Sequence, residues 1–108
     1  MNFEVIPTPE FKREAKRLLK KYPSLKDDLQ LLVESLEIQP IQGILLTSDC
    51  YKIKIAIGSK GRGKSGGARV ITYVRVHNEK VFLLSIYDKS EQVSISDQQL
   101  KNQIEELD

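Results

Sequence analysis

The chain has 108 residues, of which 40% are hydrophobic and 30% are charged, and its formal net charge is +2. This size and mixture predict one globular domain, residues 1–108, and leave no room for a second. A single cysteine excludes an internal disulfide, and no apolar run approaches the roughly 20 residues of a membrane-spanning helix. Because the N-terminus lacks the pattern of a signal peptide, we expect a cytoplasmic protein with no membrane partner.

The composition also argues against a nitrogen and sulfur metal site and against a nucleotide cofactor, and it leaves a carboxylate-bound magnesium ion open only away from the basic region, which has no acids. One cysteine and one histidine cannot supply the three or four ligands of a nitrogen and sulfur metal site. Residues 58–65 match the nucleotide-binding pattern G-x-x-x-x-G-K-S, but that pattern requires a helix to begin at the Lys-Ser pair. Gly66-Gly67 is a poor first helical turn, and residues 68–76 are rich in β-branched residues. We therefore expect neither cofactor.

The first third of the chain predicts a short strand followed by a helix. Phe3 to Ile6 can form a strand that Pro7 ends. Thr8 is a suitable N-cap with Pro9 in the first helical position, and the apolar residues that follow recur at helical spacing. The other faces of this helix are rich in Lys and Arg, which is typical either of a solvated helix face or of an RNA contact.

A second helix is predicted after Pro23. Ser24 and Asp27 have the spacing of an acidic capping box, an apolar stripe of leucines follows, and the helix should end before Pro40. The connection between the two helices is short, so we expect an antiparallel helical hairpin.

From Gly43 onward the apolar period changes to two, which is typical of strands. This alternation places Lys52 and Lys54 on one face of a strand. In the next strand it places four residues on one side: Arg69, Ile71, Tyr73 and Arg75. The run Val81–Tyr87 is almost wholly apolar and predicts a central strand that is covered on both faces.

A last helix begins at Ser96, which forms a capping-box pair with Gln99. The predicted fold class is therefore α+β. A strand and a helical hairpin at the N-terminus should pack on a mostly antiparallel twisted sheet of about four strands, with a helix at the C-terminus.

The most distinctive segment is Gly58–Arg69, which contains five of the six glycines and no acidic residue. The wider window 50–78 carries seven Lys or Arg and no Asp or Glu. Such a field attracts a polyanion. We predict a basic loop between antiparallel strands, in which glycines let the backbone approach RNA while three side chains contact its phosphates: Lys60, Arg62 and Lys64. A mobile solubilising loop is the alternative.

Three segments together resemble the RelE/ParE superfamily of bacterial toxins, and most closely its RelE and HigB-like branch. They are Asp49–Ile55 (DCYKIKI), Gly61–Tyr73 (GRGKSGGARVITY) and Leu84–Glu91 (LSIYDKSE). The resemblance implies a toxin of a type II toxin–antitoxin system. Such a toxin enters the ribosomal A site, cuts mRNA without a metal and thereby inhibits translation, and a cognate antitoxin neutralises it. The implied partners are the antitoxin, the ribosome and mRNA.

The resemblance also implies site residues. Lys52 and Lys54 match the lysines of RelE-like toxins, and Lys89 matches a further cation. Arg69 matches an arginine ahead of a strand, and its planar fork makes it the first candidate to clamp the scissile phosphate. Tyr87 matches an aromatic residue that either stacks on a base or packs in the core. Tyr73 and Arg75, on the predicted side of Arg69, are assigned to RNA binding.

The chain departs from the family pattern in two places. Ser90 stands where an arginine is often found, and residues 92–108 contain no tyrosine. Two alternatives therefore stay open. A ParE-like gyrase inhibitor would share the fold but act by binding a DNA–topoisomerase complex, and a non-catalytic relic of the toxin fold would bind RNA or ribosomes and cleave nothing.

Overall fold

The computed structural model describes residues 2–58, 66–92 and 94–107. The three cations predicted to contact phosphates, Lys60, Arg62 and Lys64, lie outside these residues. Helices and strands follow in this order: β1 (Glu4–Pro7), α1 (Pro9–Lys21), α2 (Leu25–Ile38), β2 (Ile44–Thr47), β3 (Cys50–Ile55), β4 (Ala68–Arg75), β5 (Lys80–Asp88) and α3 (Asp97–Glu105). A 3₁₀ turn, Val76–Asn78, connects β4 to β5.

The strands form one mixed sheet in the order β1-β5-β4-β3-β2. Only β1 and β5 run parallel among these neighbours, and the other pairs are antiparallel. The predicted α+β class is confirmed, with five described strands in place of about four. The additional one is β2, which Ser48 and Asp49 separate from β3 with φ values of +39° and +66°. Non-glycine residues rarely adopt such angles, so the turn between β2 and β3 carries a weak sequence signal.

Two of the three predicted helix caps are confirmed. The Thr8 hydroxyl accepts the backbone N–H of Phe11 at 3.2 Å, and Ser96 forms a complete capping box with Gln99. The predicted cap at Ser24 is wrong: its side chain makes no capping hydrogen bond. Its backbone angles are already helical, whereas a capping side chain needs an extended residue in order to reach back to the first turn.

The sheet separates two hydrophobic cores. The α1–α2 hairpin covers one face, where its leucines pack against Ile53, Val70 and Ile86. On the other face Leu100 of α3 packs in a cluster with Ile71 and Leu84. We call the first cluster the hairpin-side core and the second the α3-side core. Because β5 contributes residues to both cores, its prediction as a doubly covered central strand is confirmed. Within the described residues, none of the helices combines the length and the apolar character that crossing a bilayer requires.

A bulge in β5 is tied to α1 by a half-buried carboxylate. The register between β4 and β5 shifts after Ile71, which pairs with Ser85, whereas the following residue, Thr72, pairs with Leu83. The Glu14 carboxylate accepts the Ser85 hydroxyl at 2.9 Å and the Ile86 N–H at 3.2 Å. Burial raises the pKa of Glu14, and these two hydrogen bonds oppose that rise. Glu14 thus connects the helical hairpin to the bulge of the central strand.

Gly67 lets the start of β4 lie against the end of β3. A Cβ atom at this position would lie 2.0 Å from the Ile55 carbonyl oxygen and 3.0 Å from the Cα of Ala56, so no side chain fits. The strand β4 then runs antiparallel to β3 from Ala68. This pairing is that of a β-hairpin and differs from the strand–loop–helix arrangement of a P-loop.

Gly67→Ala should therefore lower the free energy of unfolding by about 1–3 kcal/mol, the usual cost of forcing extra atoms into a packed site. Gly58→Ala is the matched control, because among the described residues a Cβ there meets only the Ser24 side chain, at 3.5 Å or more. Urea denaturation of both variants checks the prediction. Equal midpoints for the two variants would contradict it.

Candidate functional site

Three predicted site residues lie side by side across three strands. In the sheet register Lys54 of β3 pairs with Arg69 of β4, and Arg69 pairs with Tyr87 of β5. Directly paired residues of antiparallel strands point to the same face, with Cβ atoms about 5 Å apart. The structure therefore assembles residues that are far apart in the sequence into a Lys54–Arg69–Tyr87 row.

Lys52 lies on the same face as this row. It pairs with Ile71, whose side chain belongs to the α3-side core. It precedes Lys54 by two residues, which is about 7 Å along the strand. Its neighbours Tyr51 and Ile53 face the other core. The predicted common face of Lys52 and Lys54 is thus confirmed, with Lys54 exposed and Lys52 half-buried.

Arg69 and Tyr87 are buried members of the row, with exposed fractions of 3% and 2%. One guanidinium nitrogen of Arg69, Nη1, donates to the Ala68 carbonyl at 3.1 Å. Burial raises the pKa of Tyr87, while the positive charge of Arg69 opposes the rise. The phenol is therefore neutral near pH 7, and its hydroxyl makes no hydrogen bond within the described part of the chain.

The ring of Tyr87 packs in the α3-side core. A nucleobase could stack on this ring only if the ring became uncovered, so the described residues agree with the packing alternative for Tyr87.

The turn that carries Lys89 is fixed by a buried carboxylate that sequence reasoning missed. Asp88 is fully buried; its Oδ1 accepts the backbone N–H of Ser90 at 2.9 Å and the Ser90 hydroxyl at 2.7 Å. Its Oδ2 accepts the Tyr22 hydroxyl at 3.0 Å. The Lys89 backbone N–H donates to Gly67 O at 3.1 Å, and the Lys89 side chain is exposed. Lys89 is thereby held next to the residue that immediately precedes β4, the strand of Arg69.

Ser90, at the position where the resemblance implies an arginine, takes part in this arrangement. Its hydroxyl and its backbone N–H both hold Asp88. The departure from the family pattern thus supplies a hydrogen bond donor to the carboxylate. No local pattern in the sequence could reveal the contact between Asp88 and Tyr22, since these two residues are separated by 66 positions.

Tyr73 and Arg75 lie at the far end of β4, away from the row. Arg75 lies four residues beyond Ile71 and six residues beyond Arg69. It is therefore about 20 Å from Arg69 along the strand. Its guanidinium carbon lies 5.4 Å from the Tyr73 ring centroid and 5.3 Å from that of Phe82. The structure therefore does not bring the predicted RNA contacts Tyr73 and Arg75 together with Arg69.

The single cysteine and the single histidine lie in different surroundings. Cys50 is fully buried, and burial, with the nearby carboxylates of Asp49 and Asp97, raises the pKa of its thiol to about 11. His77 is exposed in the 3₁₀ turn. Among the residues that the structure describes, no three His, Cys, Asp or Glu side chains lie close enough together to hold a metal ion.

The fold is that of RelE toxins. A double arginine-to-alanine mutant of the E. coli toxin RelE in the free state has a TM-score of 0.61, with 17% identity over 99% of each chain. The isolated E. coli RelE toxin has a TM-score of 0.54, with 22% identity over 97% of this chain and 98% of the other. A chain of the intact E. coli RelBE toxin–antitoxin complex has a TM-score of 0.52, with 24% identity over 80% of this chain and 95% of the other.

This mixed sheet, with a helical hairpin on one face and a cationic row on the other, defines a toxin-fold protein of the RelE class. Residues 8–107 match the family described as the RelE toxin of the RelE/RelB toxin–antitoxin system, and the chain belongs to that family. The HigB-like branch stays a prediction.

Tyr22→Phe should lower the free energy of unfolding by about 1–3 kcal/mol, because it removes a donor from a buried carboxylate. Tyr51→Phe is the matched control, since the Tyr51 hydroxyl makes no hydrogen bond to a described residue. Urea denaturation gives the two free energies. A Tyr22 variant as stable as the Tyr51 variant would show that the contact with Asp88 contributes nothing.

Proposed function

We propose that this chain is the toxin of a type II toxin–antitoxin pair. It acts as a ribosome-dependent, metal-independent endoribonuclease that cuts mRNA in the A site, and a cognate antitoxin neutralises it. The observation that carries the proposal is the register of Lys54, Arg69 and Tyr87, which brings three of the residues implied by the resemblance into one row. Membership of the RelE toxin family supports the toxin, and the fold relative in the E. coli RelBE complex supports the antitoxin.

The chemistry asked of this row is cleavage of RNA by its own 2′-hydroxyl. The O2′–P bond forms and the P–O5′ bond breaks, leaving a cyclic phosphate and a 5′-hydroxyl. A base takes the 2′ proton, an acid gives a proton to the O5′ leaving group, and cations stabilise the charge that builds on the phosphorane oxygens. All three tasks can be met by side chains, so the proposed reaction includes no metal.

The exposure of each residue divides the roles. Lys54 and Lys89 carry the exposed charges, so we assign them direct contact with the phosphate, with Lys52 beside them. Arg69 lies between Lys54 and Tyr87 in the register, and its buried charge acts on the phosphate at short range in a low-dielectric setting. The neutral hydroxyl of Tyr87 holds a proton next to that charge, but the hydroxyl would have to become uncovered before it gave that proton to O5′. Direct clamping by Arg69 would require its guanidinium to become uncovered.

The burial of Arg69 and Tyr87 also favours a second candidate, a non-catalytic RNA-binding or ribosome-binding protein. Two of the five predicted catalytic residues are almost inaccessible in this structure, whereas the lysines that would hold phosphates are not. Binding alone does not distinguish the two candidates, because both depend on the same cations. New RNA ends do.

Lys54→Ala and Arg69→Ala should each slow mRNA cleavage by roughly 100-fold or more, the usual loss when one group that stabilises transition-state charge is removed. The assay is reconstituted translation with and without ribosomes, followed by primer extension to map new 5′ ends. We expect cuts within codons that depend on ribosomes. Lys80→Ala is the control, because Lys80 is seven residues from Tyr87 along β5, about 23 Å away.

Arg69→Lys separates the two possible roles of Arg69. It keeps the charge but loses the planar fork, so it should retain most of the rate if the buried charge acts at short range, and little if the fork clamps the phosphate. Intact mRNA from a well-folded wild-type protein that still binds ribosomes would contradict the nuclease and favour the second candidate.

Replacing Lys60, Arg62 and Lys64 together with Ala should weaken ribosome binding and flatten its salt dependence. Each lost phosphate contact on a single strand removes about 0.7 from the slope of log K against log salt, so the slope should fall by roughly 2. Binding of labelled protein to ribosomes at several salt concentrations measures it. The control replaces Lys26, Lys80 and Lys101, which lie on α2, β5 and α3. An unchanged slope would assign these three cations no contact with RNA.

A further inference from the structure

A shallow apolar groove runs along α1 on the hairpin side of the sheet. It has a volume of about 500 Å³, and its apolar lining consists of Pro7, Phe11, Ala15 and Leu19. Phe11 and Ala15 also belong to the hairpin-side core, on the sheet face opposite to the Lys54–Arg69–Tyr87 row. The groove is therefore a separate surface from the site proposed to cut RNA.

Three lysines line the same groove: Lys12, Lys16 and Lys20. They recur every four residues, so they form one stripe along α1, with charges about 6 Å apart along the helix axis. All three side chains are exposed, and none of them forms an ion pair with a residue that the structure describes. The groove thus combines an apolar floor with a positive stripe.

The neighbouring stripe of α1 behaves differently. Arg13 forms an ion pair with Glu10, while Arg17 and Lys21 both approach Glu91, at 3.4 and 4.0 Å. The two stripes carry equal charge on one helix, but only the second is matched by acidic residues of the described chain. The lysine stripe of the groove is therefore available to an acidic partner. The neighbouring stripe provides an internal control for any test of the lysine stripe.

The chemistry of the groove decides between two kinds of partner. RNA phosphates would match the lysines, but they would leave the apolar floor uncovered. An amphipathic helix with Asp or Glu at four-residue spacing satisfies both features, because its acidic stripe meets the lysines while its apolar stripe fills the floor. A volume of about 500 Å³ suits a few apolar side chains of such a helix.

We propose that this groove docks an acidic amphipathic helix, and that the antitoxin supplies it. The identity of the source depends on the function proposed above, whereas the affinity of the groove for such a helix does not. Docking on α1 anchors the partner on the face of the sheet that does not carry the row, so that neutralisation does not require the anchoring helix to occupy the RNA-cleaving site.

A synthetic amphipathic peptide of about 20 residues tests the groove directly, because isolated helices shorter than about 15 residues are marginal in water. The acidic form carries Glu at four-residue spacing beside a leucine stripe, and the matched form carries Lys in place of Glu. With the full chain, the acidic peptide should bind at least tenfold more tightly than the basic one. Amide chemical shifts should change at Phe11, Ala15 and Leu19.

Two triple variants locate the contact. Lys12→Gln, Lys16→Gln and Lys20→Gln together should weaken binding of the acidic peptide at least tenfold. Arg13→Gln, Arg17→Gln and Lys21→Gln remove the same charge from the other stripe, and they should leave binding within about twofold, because exposed ion pairs contribute little. Equal losses in both variants, or chemical shift changes at Lys52, Lys54 and Lys89 in place of the groove, would overturn the proposal.

Two further readouts separate the remaining outcomes. If the lysine variant loses ribosome affinity and the wild-type chain does not bind the acidic peptide, the stripe contacts RNA and the groove proposal is wrong. mRNA cleavage by the lysine variant should equal that of the wild type. If the wild type cleaves nothing while the peptide still binds in the groove, the nuclease fails and the docking surface stands.

Discussion

The burial of β5 on both faces is the constraint from which the rest of the structure follows. Every residue from Val81 to Asp88 is buried, and the strand contacts β1 on one side and β4 on the other. A strand covered on two faces needs apolar side chains almost throughout, because each face removes its residues from water. The helical hairpin and α3 each satisfy one face. The two cores are therefore two halves of one packing arrangement around a single strand.

The bulge at Ser85 sets the register that places Tyr87 beside Arg69. It adds one residue to β5 between the Leu83–Thr72 and Ser85–Ile71 pairs, so that both cores keep their apolar residues across the shift. Glu14 accepts the donors that the bulge presents toward α1. Beyond it, the register brings Tyr87 beside Arg69 and ends the strand at Asp88, whose carboxylate receives Tyr22 and Ser90. The helix that covers the sheet and the turn that carries Lys89 are thus connected through one strand.

Sequence patterns predicted those features that depend on local spacing. Period-two alternation placed Lys52 and Lys54 on one face, and side-chain chemistry identified the caps at Thr8 and Ser96. Features that depend on neighbours distant in the chain escaped prediction. No pattern shows that Arg69 and Tyr87 are buried beside each other, because the sequence around Arg69 is equally compatible with an exposed arginine.

The turn between β2 and β3 escaped for another reason. Ser48 and Asp49 adopt left-handed angles without the glycine that usually marks them, so no residue type in the sequence indicates this turn. At Ser24 the residue type of a cap was present, but the backbone was already helical, and the predicted cap was therefore wrong.

The parallel pairing of β1 with β5 has a consequence for synthesis. Glu4 pairs with Lys80 and Pro7 with Leu83. The first strand therefore cannot pair with β5 until about three quarters of the chain has been synthesised. Contacts so distant in the chain form late, because loop closure must precede them. The row needs Tyr87 in place beside Arg69, and so it is completed only by one of the last strands to leave the ribosome. A chain that is still being translated therefore does not yet possess the surface that we propose acts on ribosomes, and the fold itself delays the onset of its activity.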